Sequence, residues 1–209
     1  MFDVIYDTVK AFSQIRFGPW QGLGNVLLVG EGNLSFAKSL FRHPTAHITH
    51  MTATVFEKGR NLSDKTVQNA NFLRKCGAFV LYGIDATKLE ESLKPQKFDT
   101  IIFQFPNVNS RDAKYGRNPN YVMIRKFLRN AAAYLEPSGK VLISVVDSPY
   151  YEGVFQFDEA AEFAGYETPE CYPFDPYCFF EYSHTNTTDD DSAIEDYRKF
   201  LTWVFKLKQ

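Results

Sequence analysis

From Asn25 onward the chain alternates short apolar runs with segments whose apolar residues recur every three or four positions. Asn25-Val-Leu-Leu-Val-Gly30 is a continuous apolar run, the pattern of a strand covered on both faces. The segment Ser35 to Phe41, which follows its glycine, is helix-like. Strand, glycine turn and helix make the opening half of a βαβ unit. The theme then repeats. Ile48 to Phe56 reads as a strand and Ser63 to Cys76 as a helix with Val67, Ala70, Phe72 and Leu73 inward. Phe79 to Ile84 reads as a strand, Lys88 to Leu93 as a short helix and Phe98 to Phe105 as a strong strand. A polar loop, roughly Pro106 to Pro119, leads to a helix over Tyr121 to Leu135, which Pro137-Ser138-Gly139 is expected to stop. Val141 to Val146 is the next strand and Phe157 to Ala164 the last helix, ended by Gly165. Tyr166 to Phe174 and Phe200 to Leu207 are strand candidates with no crossover helix between them, which fits a hairpin at a sheet edge. Before all of this, Val4, Ile5, Val9, Phe12 and Ile15 predict a short amphipathic helix that Gly18-Pro19 terminates.

Strands alternating with helices of this length indicate a largely parallel sheet with helices on both faces. Neither a linker nor an internal repeat divides the chain. Residues 1–24 read as a lead-in and residues 25–209 as one domain, within the size range of a single α/β unit.

Composition changes this picture little. Apolar residues make up 44%, enough for a full core. The net charge of −2 argues against a domain whose main task is to wrap a nucleic-acid backbone, but leaves room for one local contact patch. Cys76, Cys171 and Cys178 form no metal-type spacing, and their odd number fits reduced thiols. No metal site is expected, and the Asp189 to Asp191 run reads as a solvated tip. There is no apolar stretch of membrane-spanning length, and Asp3 and Asp7 stand where a secretory signal would be basic. The expected location is the cytoplasm, or the nucleolus in a eukaryotic host, and oligomeric state is left open.

The chemistry concentrates at three consecutive strand ends. Gly30-x-Gly32 lets the backbone approach a ligand closely, and the amides opening the next helix, with Ser35 as a possible cap, favour polar or anionic groups. A tight turn without a ligand is the plainer alternative. A third glycine at dinucleotide spacing is missing, which speaks against a nicotinamide cofactor. Glu57, after the second strand, has the placement of a carboxylate that accepts from ribose hydroxyls. Asp85, after the third, can reach an exocyclic amine or cap the short helix that follows. Ligands of open α/β sheets bind along this carboxyl edge.

Taken in order, Val29-Gly-Glu-Gly-Asn-Leu-Ser-Phe36, Thr52-Ala-Thr54, Ile84-Asp-Ala-Thr87, Phe98-Asp-Thr-Ile-Ile-Phe-Gln-Phe-Pro106, Ser144 to Tyr150 and Tyr182-Ser-His-Thr185 are similar to one family. They resemble the Rossmann-like domain typified by the fungal large-subunit rRNA uridine-N3 methyltransferase, which also occurs in ferredoxin-fold anticodon-binding fusion proteins. The resemblance runs over roughly residues 25 to 207. It implies a class I methyltransferase, a three-layer α/β/α sandwich with a mostly parallel seven-stranded sheet and a C-terminal antiparallel hairpin. It also implies S-adenosyl-L-methionine as cofactor and RNA as partner, with uridine N3 as the target. Gly30, Glu31, Gly32 and Asn33 would then face the methionine part, and Asp85 the adenine. Glu57 stands where the family usually has Asp, and Ser35, Ala86, Phe105 and Pro106 complete the implied cofactor set.

Two features depart from the family. Asn-Phe-Pro-His after the fourth strand is here Gln104-Phe-Pro-Asn107, and the usually glycine-rich loop that follows carries Arg111, Lys114, Tyr115, Arg117 and one glycine. This is the face where a target base would sit. The mixture of cations and an aromatic suits phosphate contact and base stacking, and equally an ordinary solvated loop. An imide nitrogen must lose a weakly acidic proton, so a base or an oriented water is needed. Asp147 and His184 are the candidates, with Glu181 behind them; Asp147 can instead cap a turn, and His184 can be a plain loop residue. Gln104 and Asn107 can hydrogen-bond a base edge but cannot act as bases. Tyr150, with Tyr151, Tyr177, Phe179, Phe180 and Tyr182, can wall a base pocket or form a satellite core under the late loop. A methyltransferase of a small molecule or protein, and a silent cofactor- or RNA-binding module, remain as alternatives.

Overall fold

The computed structural model describes residues 18–110, 112–113, 116–185 and 197–209. The helix expected within residues 3–16 lies outside them. The elements follow the chain as β1 (Gly24–Val29), α1 (Ser35–Arg42), β2 (Ile48–Val55), α2 (Asp64–Lys75), β3 (Phe79–Tyr82), β4 (Phe98–Gln104), α3 (Pro119–Ala132), β5 (Leu135–Val146), α4 (Phe157–Ala164), β6 (Glu170–Phe174) and β7 (Phe200–Phe205). A 3₁₀ turn, Ala86–Glu91, stands where a short helix was expected.

The seven strands form one sheet in the order β3-β2-β1-β4-β5-β7-β6. The first five pair in parallel. β7 runs antiparallel between β5 and β6, so the hairpin closes the sheet with β6 outermost. The Rossmann-like class I architecture is therefore present, hairpin included.

Side-chain alternation along the central strands builds two cores. Leu27 and Val29 of β1, Ile101 and Phe103 of β4 and Val141 and Ile143 of β5 join Tyr121, Ile124, Phe127 and Leu128 of α3 and Phe157 and Ala160 of α4. Val26, Leu28, Ile102 and Leu142 face the other way, onto Phe36 and Leu40 of α1 and Ala70 and Leu73 of α2. This explains the unbroken apolar runs: a strand between two helical layers has no solvent face. From β1 the chain crosses to β2 on one side, and it returns at β4 on the other. The sheet thus has its topological switch between β1 and β4, where a crevice opens at the carboxyl edge.

Three local expectations are corrected. Val67 is 40% exposed rather than inward. The inner face of α2 is Thr66, Asn69, Ala70 and Leu73, so Thr66 and Asn69 take the inward places read for Val67 and Phe72, and Asn69 reaches the site described below. Pro137-Ser138-Gly139 stops no helix, since α3 ends at Ala132 and the triplet lies inside β5. There the register jumps from Phe98↔Leu135 to Thr100↔Lys140, so the extra residues are absorbed as a bulge. Tyr166, read as the start of a strand, makes only an isolated bridge to Leu207 ahead of β6.

Candidate functional site

The β1–α1 turn is a self-contained cradle. Gly30 has φ +64, and a Cβ there would come within 2.5 Å of the Phe103 ring from β4. Leu34 also adopts a left-handed φ of 62, a conformation that costs a non-glycine residue about 1–2 kcal/mol. Asn33 Oδ1 accepts from Ser35 N at 2.9 Å and Glu31 Oε2 accepts from Ala37 N at 3.1 Å. Two amides that open α1 are thereby satisfied by the turn's own side chains. Ser35 is not the cap, because it is the first helical residue. From α2, Asn69 Nδ2 donates to Asn33 O at 2.8 Å and fixes the turn from behind.

A strap formed by Tyr182, Ser183, His184 and Thr185 lies across this turn. Ser183 O accepts from Asn33 Nδ2 at 3.0 Å and from Ser35 Oγ at 2.8 Å. Ser183 N donates back to Ser35 Oγ at 3.1 Å, and Lys65 Nζ donates to Ser183 Oγ at 2.9 Å. A Cβ on Gly32 would fall 2.4 Å from Thr185 O. The sequence ascribes the Gly30-x-Gly32 spacing to ligand approach; both glycines in fact also make room for the chain itself, Gly30 for Phe103 and Gly32 for the strap.

Beside the strap a cavity of about 530 Å³ opens along the carboxyl edge. Its walls are the turn from Gly30 to Asn33 with Ser35, the Ile84 to Thr87 end of β3, the Phe103 to Asn109 end of β4, the first turns of α3 and the strap. Asp85 Oδ1 accepts from both Thr87 N and Thr87 Oγ1 at 2.8 Å, so the capping role is real and Oδ2 is left for another donor. Gln104 is 7% exposed, and neither Oε1 nor Nε2 has a hydrogen-bond partner. A buried primary amide with both ends unsatisfied is costly in a native protein. Thr185 Oγ1 is similarly unpaired. Phe105 has φ +48, a strained backbone between Gln104 and Pro106. Asn107 Oδ1 accepts from Asn109 N at 2.9 Å, which shapes the loop. Asn120 of α3, 2% exposed, holds that loop through Val108 N at 3.0 Å and Ser110 O at 3.2 Å.

The electrostatics of the crevice come from burial. Glu31, 4% exposed, has its carboxyl pushed up to about 7 by desolvation, against the lowering effect of the Ala37 amide. Burial, and secondarily Glu31, raise the Tyr182 phenol well above its ordinary range. Burial lowers His184 to about 4. Its Nδ1 lies 3.2 Å from Tyr182 Oη and its ring meets Phe105 edge-on at 5.1 Å.

The structure thus brings together Gly30, Glu31, Gly32, Asn33, Ser35, Asp85, Ala86, Gln104, Phe105, Pro106, Asn107 and His184. It leaves others apart. Phe56, not Glu57, is on the wall. Asp147 is exposed and lines a second cavity of about 480 Å³ with Tyr151, Phe155 and Trp203. Its amide donates to Lys199 O at 2.9 Å, continuing the β5–β7 ladder, and Ser148, not Asp147, caps the following turn. Glu181 binds Lys38 at 2.8 Å and Arg42 at 2.9 Å, so it anchors the strap to α1. Arg117 pairs with Glu159 at 2.7 Å outside the crevice, and Tyr150 is 60% exposed. Arg111, Lys114 and Tyr115 lie outside the described residues.

The late aromatic cluster divides. Phe179 is 3% exposed and packs on Trp20, Phe36 and Phe174, whereas Tyr177 and Phe180 are exposed. Thr87, Met123, Lys126, Ser183 and Thr185 are wall residues to which the sequence reading gave no role. Of these, Thr87 carried a signal inside the Ile-Asp-Ala-Thr motif, and Ser183 and Thr185 inside the Tyr-Ser-His-Thr motif. Among the described residues no group of metal-ligating side chains occurs, and no helix is long and apolar enough to cross a membrane.

Residues 27–186 match the family model described as BMT5-like, rRNA (uridine-N3-)-methyltransferase BTM5-like. The human ferredoxin-fold anticodon-binding domain-containing protein 1 is 29% identical over 183 residues, covering 81% of this chain and 29% of that protein. An uncharacterized Arabidopsis thaliana protein is 33% identical over 131 residues, covering 57% of this chain and 61% of its own length. The chain therefore spans less than two thirds of these relatives. Among solved structures, that of DhpI in complex with SAH superposes with a TM-score of 0.53 at 14% identity, covering 98% of this chain and 87% of that one. The pyocyanin biosynthetic protein PhzM superposes at 0.55 with 12% identity, over 96% of this chain and 55% of that one. These structural likenesses concern the fold.

Proposed function

Because the chain belongs to the BMT5-like rRNA (uridine-N3-)-methyltransferase family, we propose that it is an S-adenosyl-L-methionine-dependent methyltransferase acting on RNA, with uridine N3 in rRNA as its target. The observation that carries this reading is the cavity at the sheet's switch point, in which the unpaired Gln104 amide faces the same space as the glycine turn and Asp85. Its volume of about 530 Å³ lies within the range of small-ligand sites.

The donor set fits the cofactor. The Gly30 to Asn33 turn borders the methionyl end and Asp85 Oδ2 is available to an adenine amine; at the β2 end Phe56 lines the wall, and Glu57, beside it, would have to turn toward the cavity to reach the ribose. The bound cofactor supplies an electrophilic methyl group on a cationic sulfur. The protein's own contribution is to hold the target nitrogen in line and to keep water out. Gln104 Nε2 can donate to a uracil carbonyl beside the target nitrogen, which orients the base while leaving N3 open to the methyl group. His184 is neutral at pH 7, since its conjugate acid lies near 4. It serves as a hydrogen-bonding partner that orients the imide or a water, and the proton leaves to solvent. Arg111, Lys114, Tyr115, Arg117 and Tyr150 are proposed to contact the RNA.

The test is radiolabelled methyl transfer to separated RNA, protein and small-metabolite fractions, followed by nucleoside analysis of labelled RNA. Label in N3-methyluridine is expected. Label only in protein or metabolites would overturn the substrate, and cofactor binding with no label anywhere would favour a silent module.

A further inference from the structure

Among the described residues, Glu31 is the one buried carboxyl group in the wall of the crevice. It is 4% exposed, and among the described residues the one hydrogen bond its carboxylate makes is the 3.1 Å contact from Ala37 N to Oε2. No cation among the described residues lies within ion-pairing distance of it. Lys126 of α3 lines the same cavity but forms no ion pair with Glu31, and the other ionisable groups on the surrounding elements are engaged elsewhere. Lys38 and Arg42 of α1 bind Glu181. Lys65 of α2 is held by Ser183 Oγ. Tyr182 and His184 of the strap are uncharged near pH 7, and Asp85 across the cavity carries the same sign. An enclosed carboxylate without a counter-charge is unfavourable in itself, yet this one opens onto a cavity with room for a ligand.

We propose that Glu31 is the counter-ion for the cationic methionyl end of the cofactor, and that binding ionises it, so cofactor uptake expels a proton. This deepens the proposed function and rests on it. Both ligands carry an α-ammonium and an α-carboxylate, and the sulfonium gives the methyl donor a net positive charge that the demethylated product lacks. Glu31 therefore discriminates between them by charge, and loss of the sulfonium on methyl transfer weakens the product's hold.

The magnitude follows from linkage. With its carboxyl at about 7 in the ligand-free site, Glu31 is roughly half protonated at pH 7. If the ligand returns it to the ordinary 4.5, affinity rises about fivefold from pH 6 to pH 7. The ligand's own α-amine, with a pKa of about 7.7–8.0, stays mostly protonated over that interval.

Isothermal titration of the whole chain with S-adenosylmethionine and S-adenosylhomocysteine, at pH 7 in buffers of different ionisation enthalpy, reads the proton directly. Wild type should release about half a proton per S-adenosylmethionine and less with S-adenosylhomocysteine. Glu31→Gln, which keeps an acceptor for Ala37 N, should bind more weakly and release none. Equal release by the variant, or binding by wild type without release, overturns the counter-ion role while leaving the proposed activity intact. A carboxyl carbon NMR titration of the ligand-free chain gives an independent arm. One glutamate with a midpoint near 7 that vanishes in Glu31→Gln is expected, and ordinary midpoints for every glutamate would refute the premise. If neither ligand binds wild type, the proposed activity falls and the counter-ion role falls with it.

Discussion

Gly32→Ala isolates the role of the strap. Gly32 does not need a left-handed backbone, since it is absent from the positive-φ positions, so alanine is acceptable there conformationally. The obstacle is contact alone: the new methyl would lie 2.4 Å from Thr185 O and 3.0 Å from Thr185 Oγ1. A backbone carbonyl cannot swing aside as a flexible side chain can. Relief therefore requires the strap to lift, which strains the hydrogen bonds that tie Ser183 to Asn33, Ser35 and Lys65. Overpacking of this kind costs about 1–3 kcal/mol, and each hydrogen bond lost adds about 0.5–1.5 kcal/mol. The expected outcome is a total loss of about 2–4 kcal/mol in chemical denaturation. Faster hydrogen exchange at the Ser183 amide, which is bonded to Ser35 Oγ, should accompany it, while amides in the centre of β4 keep their protection relative to global stability. Unchanged Ser183 protection together with unchanged stability would show that the strap does not rest on Gly32.

Gln104→Leu should leave the ligand-free protein as stable or more stable by about 1 kcal/mol, because it removes unpaired buried polar atoms. Methyl transfer should fall about tenfold to a hundredfold with cofactor affinity unchanged; unimpaired transfer would remove Gln104 from the base site. Asp85→Ala should cost about 1 kcal/mol through the lost bonds to Thr87 and weaken cofactor binding, and unchanged calorimetric affinity would count against the adenine contact. Asp147→Asn should leave kcat unaltered, since Asp147 lies in the second cavity; a collapse of the rate would return it to the chemistry. For pH, Glu31 is raised on folding to about 7, so its contribution is present at low pH and fades as pH rises through 7. His184 is lowered to about 4, so the unfolded chain binds more protons between about 4 and 6.5, and stability falls as pH drops through that window. Accordingly Glu31→Gln should stabilise the ligand-free chain at pH 8 and not at pH 4, as measured by urea midpoints.

The fold was legible because a strand between two helical layers has no polar alternation, and β1, β4 and β5 write that pattern openly. Local misreadings came where tertiary contacts outweigh pattern. Val67 loses its inward place to Thr66 and Asn69, and Asn69 reaches Asn33. Pro137 to Gly139 looks like a stop signal, yet β4 offers partners that turn it into a bulge. At the site, the strand ends bring the turn, Asp85 and Gln104 to one cavity, since residues at those positions must face the carboxyl edge. The partnership between Gly32 and Thr185 was hidden by about 150 intervening residues, a contact that no local spacing can encode. Asp147 was misassigned because its strand end is right but its neighbour is β7: the Asp147–Lys199 ladder contact carries it away from the crevice and toward the second cavity.

A structure of the chain crystallised with S-adenosylhomocysteine tests the central assignment most directly. The adenosyl group should lie between the Gly30 to Asn33 turn and Ala86, its amine toward Asp85 and its methionyl end beside Glu31 under the strap. Ligand density in the cavity lined by Asp147 and Trp203, or a crevice filled by Gln104 and His184 with the ligand excluded, would contradict it.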